Sequence, residues 1–173
     1  LFGYLSPVSL VELSYVNTPL LLRFAELAPG TFQHSLQVAN LVTTAAPRIN
    51  ANALLARVGA MYHDIGKLQH PDFFTENQMS GVNPLAELDP LVASELIIAH
   101  VKDGVTLAKA YKLPEPIIDF IRTHHADGRT KYFYNTYVNA HPDEEIPAGA
   151  FDYAGPKPQT KEQALLMMAD SVE

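Results

Sequence analysis

The sequence predicts an all-α domain built as a helical bundle. Three observations carry that expectation. Apolar residues recur with helical spacing nearly everywhere. Several segments open on a Ser, Thr or Asp followed by proline, a helix start signal. No segment alternates strongly enough to build a sheet.

Taken in order, Ser6-Pro7 opens a short helix that reaches about Tyr15. Thr18-Pro19 opens a second, which Pro29-Gly30 is expected to close. Residues 31–46 form a third helix, with Val38, Leu41, Val42 and Ala45 on one face and Leu36, Ala39, Asn40 and Thr43 on another. Ala51 to His63 is rich in Ala, Leu and Arg, strong helix formers, and should stop at a C-terminal glycine, Gly66. Residues 67–89 read as a long loop with at most a helical turn, because they hold His70-Pro71, Gly81 and Asn83-Pro84. Asp89-Pro90 opens the next helix, which Gly104 is expected to bend and Leu113-Pro114 to end. Pro116 to His124 and residues 131–139 are helical, and residues 141–159, with four prolines and two glycines, are a loop. Thr160 caps the last helix, with Gln163 at capping-box spacing.

The chain has 173 residues, the size of one domain, and 47% of them are hydrophobic. It has no cysteine, which excludes disulfides, thiolate metal sites and cysteine nucleophiles. A net charge of −7 argues against general nucleic-acid binding. No run approaches the roughly 18 apolar residues of a membrane span. The chain starts at Leu1 with no signal-peptide layout, and is read as a piece of a longer protein.

Seven histidines in an acidic, cysteine-free chain need an explanation. The central signal is His63-Asp64-Ile65-Gly66-Lys67. Neighbours on a helix point about 100° apart, so His63 and Asp64 converge on one point only if the helix ends there. A carboxylate has two oxygens and can bridge two cations, whereas one imidazole nitrogen binds one; Asp64 suits a bridge and His63 a terminal ligand. The plainer alternative is a helix end with favourable His, Gly and Lys residues. His34, His100 and the pair His124-His125 each lie beside apolar residues on a predicted helix. A lone histidine there is usually a hydrogen-bonded core residue, but two adjacent buried imidazoles are costly unless all their nitrogens are used. Asp170, taken alone, reads as a surface acid. His70 and His141 lie in proline loops and are read as non-ligands.

The ordered set His34, His63-Asp64, His100, His124-His125 and Asp170 resembles the HD-domain phosphohydrolase superfamily. His34, His63, Asp64 and Asp170 match its basic pattern, and His100, His124 and His125 match the version that holds two metals. Residues 31–42 (TFQHSLQVANLV), 51–68 (ANALLARVGAMYHDIGKL), 73–78 (FFTENQ), 97–109 (IIAHVKDGVTLAK) and 111–125 (YKLPEPIIDFIRTHH) look like the cytoplasmic HD domain of seven-transmembrane PgpH-type cyclic di-AMP phosphodiesterases. The Gly-Tyr-Pro signature of the sister cyclic di-GMP family is absent after residue 125. The resemblance implies an HD-domain helical bundle, with residues 1–30 as a helical extension and 31–173 as the catalytic core. It also implies a bacterial integral membrane protein as the parent, with this domain cytoplasmic.

Carried over by position, the resemblance gives one metal His34, His63, Asp64 and Asp170, and the other Asp64, His100, His124 and His125. Ligation by nitrogen and oxygen alone suits iron, manganese or zinc, and seven ligands plus a hydroxide favour iron or manganese over four-coordinate zinc. Five neutral imidazoles and two carboxylates leave two divalent ions with about +2, so an anionic substrate is attracted despite the acidic chain. The activity implied is hydrolysis of cyclic di-AMP to linear pApA by a hydroxide held between the metals, with Asp64 and Lys67 as the catalytic pair. Lys67, Asn77, Lys102 and Asp103 are candidate substrate contacts; Asn77 and Asp103 equally suit loop capping. The alternatives are a nucleotide phosphomonoesterase or alarmone pyrophosphohydrolase, and a nucleotide sensor that does not hydrolyse.

Overall fold

The computed structural model describes residues 5–78 and 81–173. The first four residues of the expected N-terminal extension therefore lie outside the described residues. Among those described, the chain forms eight α-helices: α1 (Pro7–Leu13), α2 (Pro19–Leu27), α3 (Pro29–Ala45), α4 (Ala53–Tyr62), α5 (Pro90–Ala110), α6 (Glu115–Thr123), α7 (Lys131–Ala140) and α8 (Lys161–Asp170). The extended pairing among them is an isolated antiparallel bridge between Arg129 and Asp152. The all-α expectation holds.

Most helix starts follow the local signals. Ser6, Asn52, Asp89 and Thr160 each accept a hydrogen bond from a backbone N–H in the first turn of the helix that follows. Prolines occupy the first turn of α1, α2, α3, α5 and α6, where a missing N–H leaves no bond unmade. Thr18 makes no such cap; its hydroxyl lies 3.3 Å from the Tyr62 hydroxyl instead. The Thr160–Gln163 box is shifted by one residue: Gln163 Oε1 accepts from the backbone N–H of Gln159, not of Thr160.

Four expectations need correction. Pro29-Gly30 opens α3 and does not merely close α2; Ala28 alone separates the two helices. The buried face of α3 is Thr31, Ser35, Val38, Ala39 and Val42, and Leu41 is exposed. The stretch after His63 is not a plain loop: Ile65–Gln69, Pro71–Phe73 and Thr75–Asn77 are short 3-10 helices. Gly104 does not interrupt α5, which runs through it to a left-handed Lys112 just past the end.

The core sits around α4. This helix packs against α1, α3, α6 and α8. Its small residues allow that: Ala56, Gly59 and Ala60 are buried, and a Cβ on Gly59 would collide with the Phe120 ring of α6. Phe24, Val38, Met61, Ile65, Ile117, Ile121 and Leu166 fill the remaining space and are fully buried. Tyr62 donates its hydroxyl to Leu13 O at 3.0 Å and so ties α4 to the end of α1. No helix of the described residues is long and apolar enough to cross a membrane.

Candidate metal centre

Five of the seven sequence-selected ligands sit on a helix or at its C-cap, and Asp64 and His125 directly follow the C-caps of α4 and α6. His34 lies on the second turn of α3 and His100 in the middle of α5. His63 and His124 cap the C-terminal ends of α4 and α6, and Asp170 is the last residue of α8. Helix C-termini carry partial negative charge, so three of them meeting at one point favour a cation there.

His63 keeps helical angles, but Asp64 (φ −108°, ψ 13°) leaves the helix. That break lets two adjacent side chains converge where a continuous helix would part them. The following turn is held close to α5 by a contact between glycines. A Cβ on Gly66 would overlap the backbone of His100 and Gly104, so Gly66 serves close approach, not the left-handed helix end expected of it.

Asp64 is 2% exposed, and its two oxygens face different partners. Oδ2 lies 2.8 Å from Lys67 Nζ and 3.4 Å from His63 Nε2. Oδ1 lies 3.4 Å from His100 Nε2 and 3.5 Å from His124 Nε2, with no hydrogen bond of its own. On the first side, Asp170 Oδ1 is 2.9 Å from His34 Nε2 and 3.3 Å from His63 Nε2. Two ligand groups result, each with its donor atoms within 4.8 Å of one another: His34, His63, Asp64 and Asp170, and Asp64, His100, His124 and His125. Asp64 belongs to both.

The imidazoles are pre-set as donors to a metal. Nδ1 of His63, His100 and His124 lies 2.7, 2.6 and 2.8 Å from the carbonyl three residues earlier, Ala60, Ile97 and Ile121. A carbonyl only accepts, so Nδ1 carries the proton and the Nε2 lone pair points inward. The Nε2 atoms of His100 and His124 then face each other at 3.2 Å, an arrangement that needs a shared positive charge. A buried carboxylate oxygen without a partner and converging lone pairs without a proton fit a metal ion.

The electrostatics divide the same way. Burial pushes His63 down, but Asp64 and Asp170 outweigh it and raise it to about 10. His100 is lowered to about 4 by burial, against the pull of Asp64. His125 is lowered to about 2 by burial, with His124 and His100 adding to it. Burial opposes the charge on Asp64 and Asp170, yet Lys67 and His63 hold the first, and His34 and His63 the second, well below the usual carboxylate range. The group with both carboxylates thus attracts a proton in the absence of metal, and the second group repels one.

The candidate substrate residues fall in different settings. Lys67 is clamped between Asp64 Oδ2 and Glu76 Oε1, at 2.8 and 3.0 Å. Asn77 is buried and its amide is committed: Oδ1 accepts from Thr31 N, and Nδ2 donates to Thr31 Oγ1 and Pro71 O. It anchors the 3-10 stretch to the N-terminus of α3. Lys102 is exposed on the rim of a pocket of about 250 Å³ beside His125, lined also by Ile98, Val101, Arg122 and Tyr153. Asp103, its neighbour on α5, does not line that pocket.

Sequence reasoning passed over Glu76 and Tyr153. Glu76 joins Lys67 to Thr31 Oγ1 (2.9 Å), and its signal was its place beside Asn77 in the quoted FFTENQ stretch. Tyr153 stacks on His125 with ring centroids 4.2 Å apart. It lies in a proline-rich loop where no local pattern marks it.

Known proteins show the same architecture. The HD-domain family model matches residues 31–173. The chain is 46% identical over its full length to the cyclic-di-AMP phosphodiesterase PgpH of Listeria monocytogenes and 45% identical over 99% of its length to that of Bacillus subtilis. It spans 24% of each of these relatives. The crystal structure of the L. monocytogenes PgpH HD domain in complex with cyclic-di-AMP superposes with a TM-score of 0.86 at 45% identity, covering 91% of this chain and 73% of that one. With the family model matched over most of its length and the histidines and aspartates converging as two sets around Asp64, the chain belongs to the HD-domain family.

Proposed function

We propose that this chain is the catalytic domain of a metal-dependent phosphodiesterase that opens cyclic di-AMP to linear pApA. The observation that carries the reading is Asp64, a buried carboxylate whose two oxygens face two separate ligand sets. It supports a pair of divalent ions, with iron or manganese the fitting choices for a nitrogen- and oxygen-only set. Such a pair supplies Lewis acidity and an activated water for in-line attack at phosphorus.

The residues of the chain do the positioning. His63, His100 and His124 hold their Nε2 atoms inward through their backbone hydrogen bonds. Lys67 fixes the Asp64 carboxylate and places positive charge at the edge of the centre, where a phosphate oxygen can meet it. The exposed Lys102 sets a cationic group on the rim of the pocket beside His125, whereas Arg122 on the same rim is paired with Glu115 and Asp119 at 2.8 and 2.6 Å. Its apolar wall, Ile98 and Val101, suits the face of a purine. Asn77 acts through the loop it anchors.

The relatives named as PgpH are about four times the length of this chain; from the resemblance to the PgpH type, we read the parent as a membrane-embedded protein that carries this domain on its cytoplasmic side. The test is direct. The protein reconstituted with iron or manganese is assayed against cyclic di-AMP and cyclic di-GMP side by side, with Asp64→Ala as control. Cleavage of cyclic di-AMP to pApA that disappears in the variant is expected. Preference for a mononucleotide, or tight binding without product, would overturn the reading.

A further inference from the structure

Three of the five histidines in the two ligand groups share an anchor, and His125 does not. His63, His100 and His124 donate Nδ1–H to the carbonyl three residues back. By the same rule His125 would use Arg122 O. That carbonyl is instead packed against Gly155, where a Cβ would collide with it. Among the described residues, no hydrogen bond reaches the His125 ring. The ring is instead packed among His124 (centroids 4.0 Å), His100 (5.2 Å) and Tyr153, and Tyr153 is the one stacked nearly parallel to it, at 4.2 Å with the planes 29° apart.

A short two-stranded ribbon delivers Tyr153 to that position. Thr130 N donates to Phe151 O at 2.9 Å, Tyr153 N to Gly128 O at 2.8 Å and Gly155 N to Ala126 O at 3.0 Å. The ion pair of Arg129 with Asp152, two contacts at 2.6 and 3.1 Å, locks the ribbon. It closes the long excursion through α7 and ends over the C-terminus of α6, which carries His124 and His125.

We propose that Tyr153 is a positioning residue: its ring face orients the His125 imidazole toward the second ligand group, in the role that a backbone carbonyl fills for His63, His100 and His124. The assignment rests on the two-ion reading above. It concerns the flat ring, not the hydroxyl, and so separates three substitutions.

The experiment is a cobalt(II) titration of the purified metal-free protein, followed by visible absorption and by metal content after desalting. Wild type is expected to take up two ions. Tyr153→Phe keeps both affinities. Tyr153→Ala, and Tyr153→Leu as the bulk-retaining variant should the alanine form misfold, weaken the second ion by about tenfold or more and leave the first unchanged. Wild-type binding of the second ion by Tyr153→Leu overturns the assignment. So does equal weakening of both ions, which marks general loosening, or a Tyr153→Phe variant as weak as Tyr153→Leu. A wild type that binds a single ion overturns the two-ion reading and the assignment together.

Discussion

Gly66 and His100 are in backbone contact: a Cβ on Gly66 would overlap the His100 carbonyl oxygen. The pair joins the turn after the His-Asp dipeptide to the middle of α5, which carries His100. Gly66→Ala must push α5 and this turn apart. Overpacking of this kind costs about 1–3 kcal/mol. The expected result is a lower Tm together with weaker binding at the group containing His100. A variant with wild-type Tm and full metal content would contradict the contact.

The proposed bridging role of Asp64 separates two carboxylate variants. Asp64→Asn removes a ligand from both groups and should abolish binding of the paired ions and all turnover. Asp170→Asn removes a ligand from the first group alone and should leave one ion at the second. Metal content per chain by elemental analysis decides; equal stoichiometry in the two variants would sink the bridge. Removal of metal from wild type with a chelator should lower Tm, because ligands that bind only the folded state stabilise it.

Asn77 tests structure against substrate contact. Its amide satisfies Thr31 N inside the protein. Asn77→Ala leaves a buried donor unpaired, at a cost of about 1–3 kcal/mol. Thermal denaturation should show that loss even in the absence of substrate. An unchanged Tm with a raised KM would instead make Asn77 a substrate ligand.

The histidines predict how the metal-free protein responds to pH. His100 and His125 have folded values of about 4 and about 2, below the unfolded value of about 6.5. Below pH 6.5 the unfolded chain binds more protons than the folded one, so these two groups make stability fall as the pH drops. His63, raised to about 10, acts on the other side: its stabilisation is complete below pH 6.5 and is lost as pH rises toward 10. The chelated protein should be most stable between these limbs. A Tm series from pH 4.5 to 9.5 checks this, and His125→Gln should make the acid limb shallower.

The helix starts were legible because caps and prolines act over a few residues. Ser6-Pro7, Thr18-Pro19, Asp89-Pro90 and Thr160 mark their helices in the sequence itself. Gly66 misled because a glycine after a helix has two uses, a left-handed turn or a close approach, and only the position of α5 distinguishes them. Local sequence does not distinguish the two roles of Asn77 for the same reason: its partners Thr31 and Pro71 lie 46 and 6 residues away.

By itself the sequence determined the all-α class, most helix boundaries and, through a resemblance, the seven residues His34, His63, Asp64, His100, His124, His125 and Asp170. Tertiary structure decided the geometry among them. It turned the two oxygens of Asp64 to different groups, clamped Lys67 with Glu76 and laid Tyr153 over His125. The physical reason is range. Helix propensity and capping are local free energies, whereas a ring stack or a shared carboxylate exists only when distant helices pack at one separation, and no spacing along the chain encodes that distance.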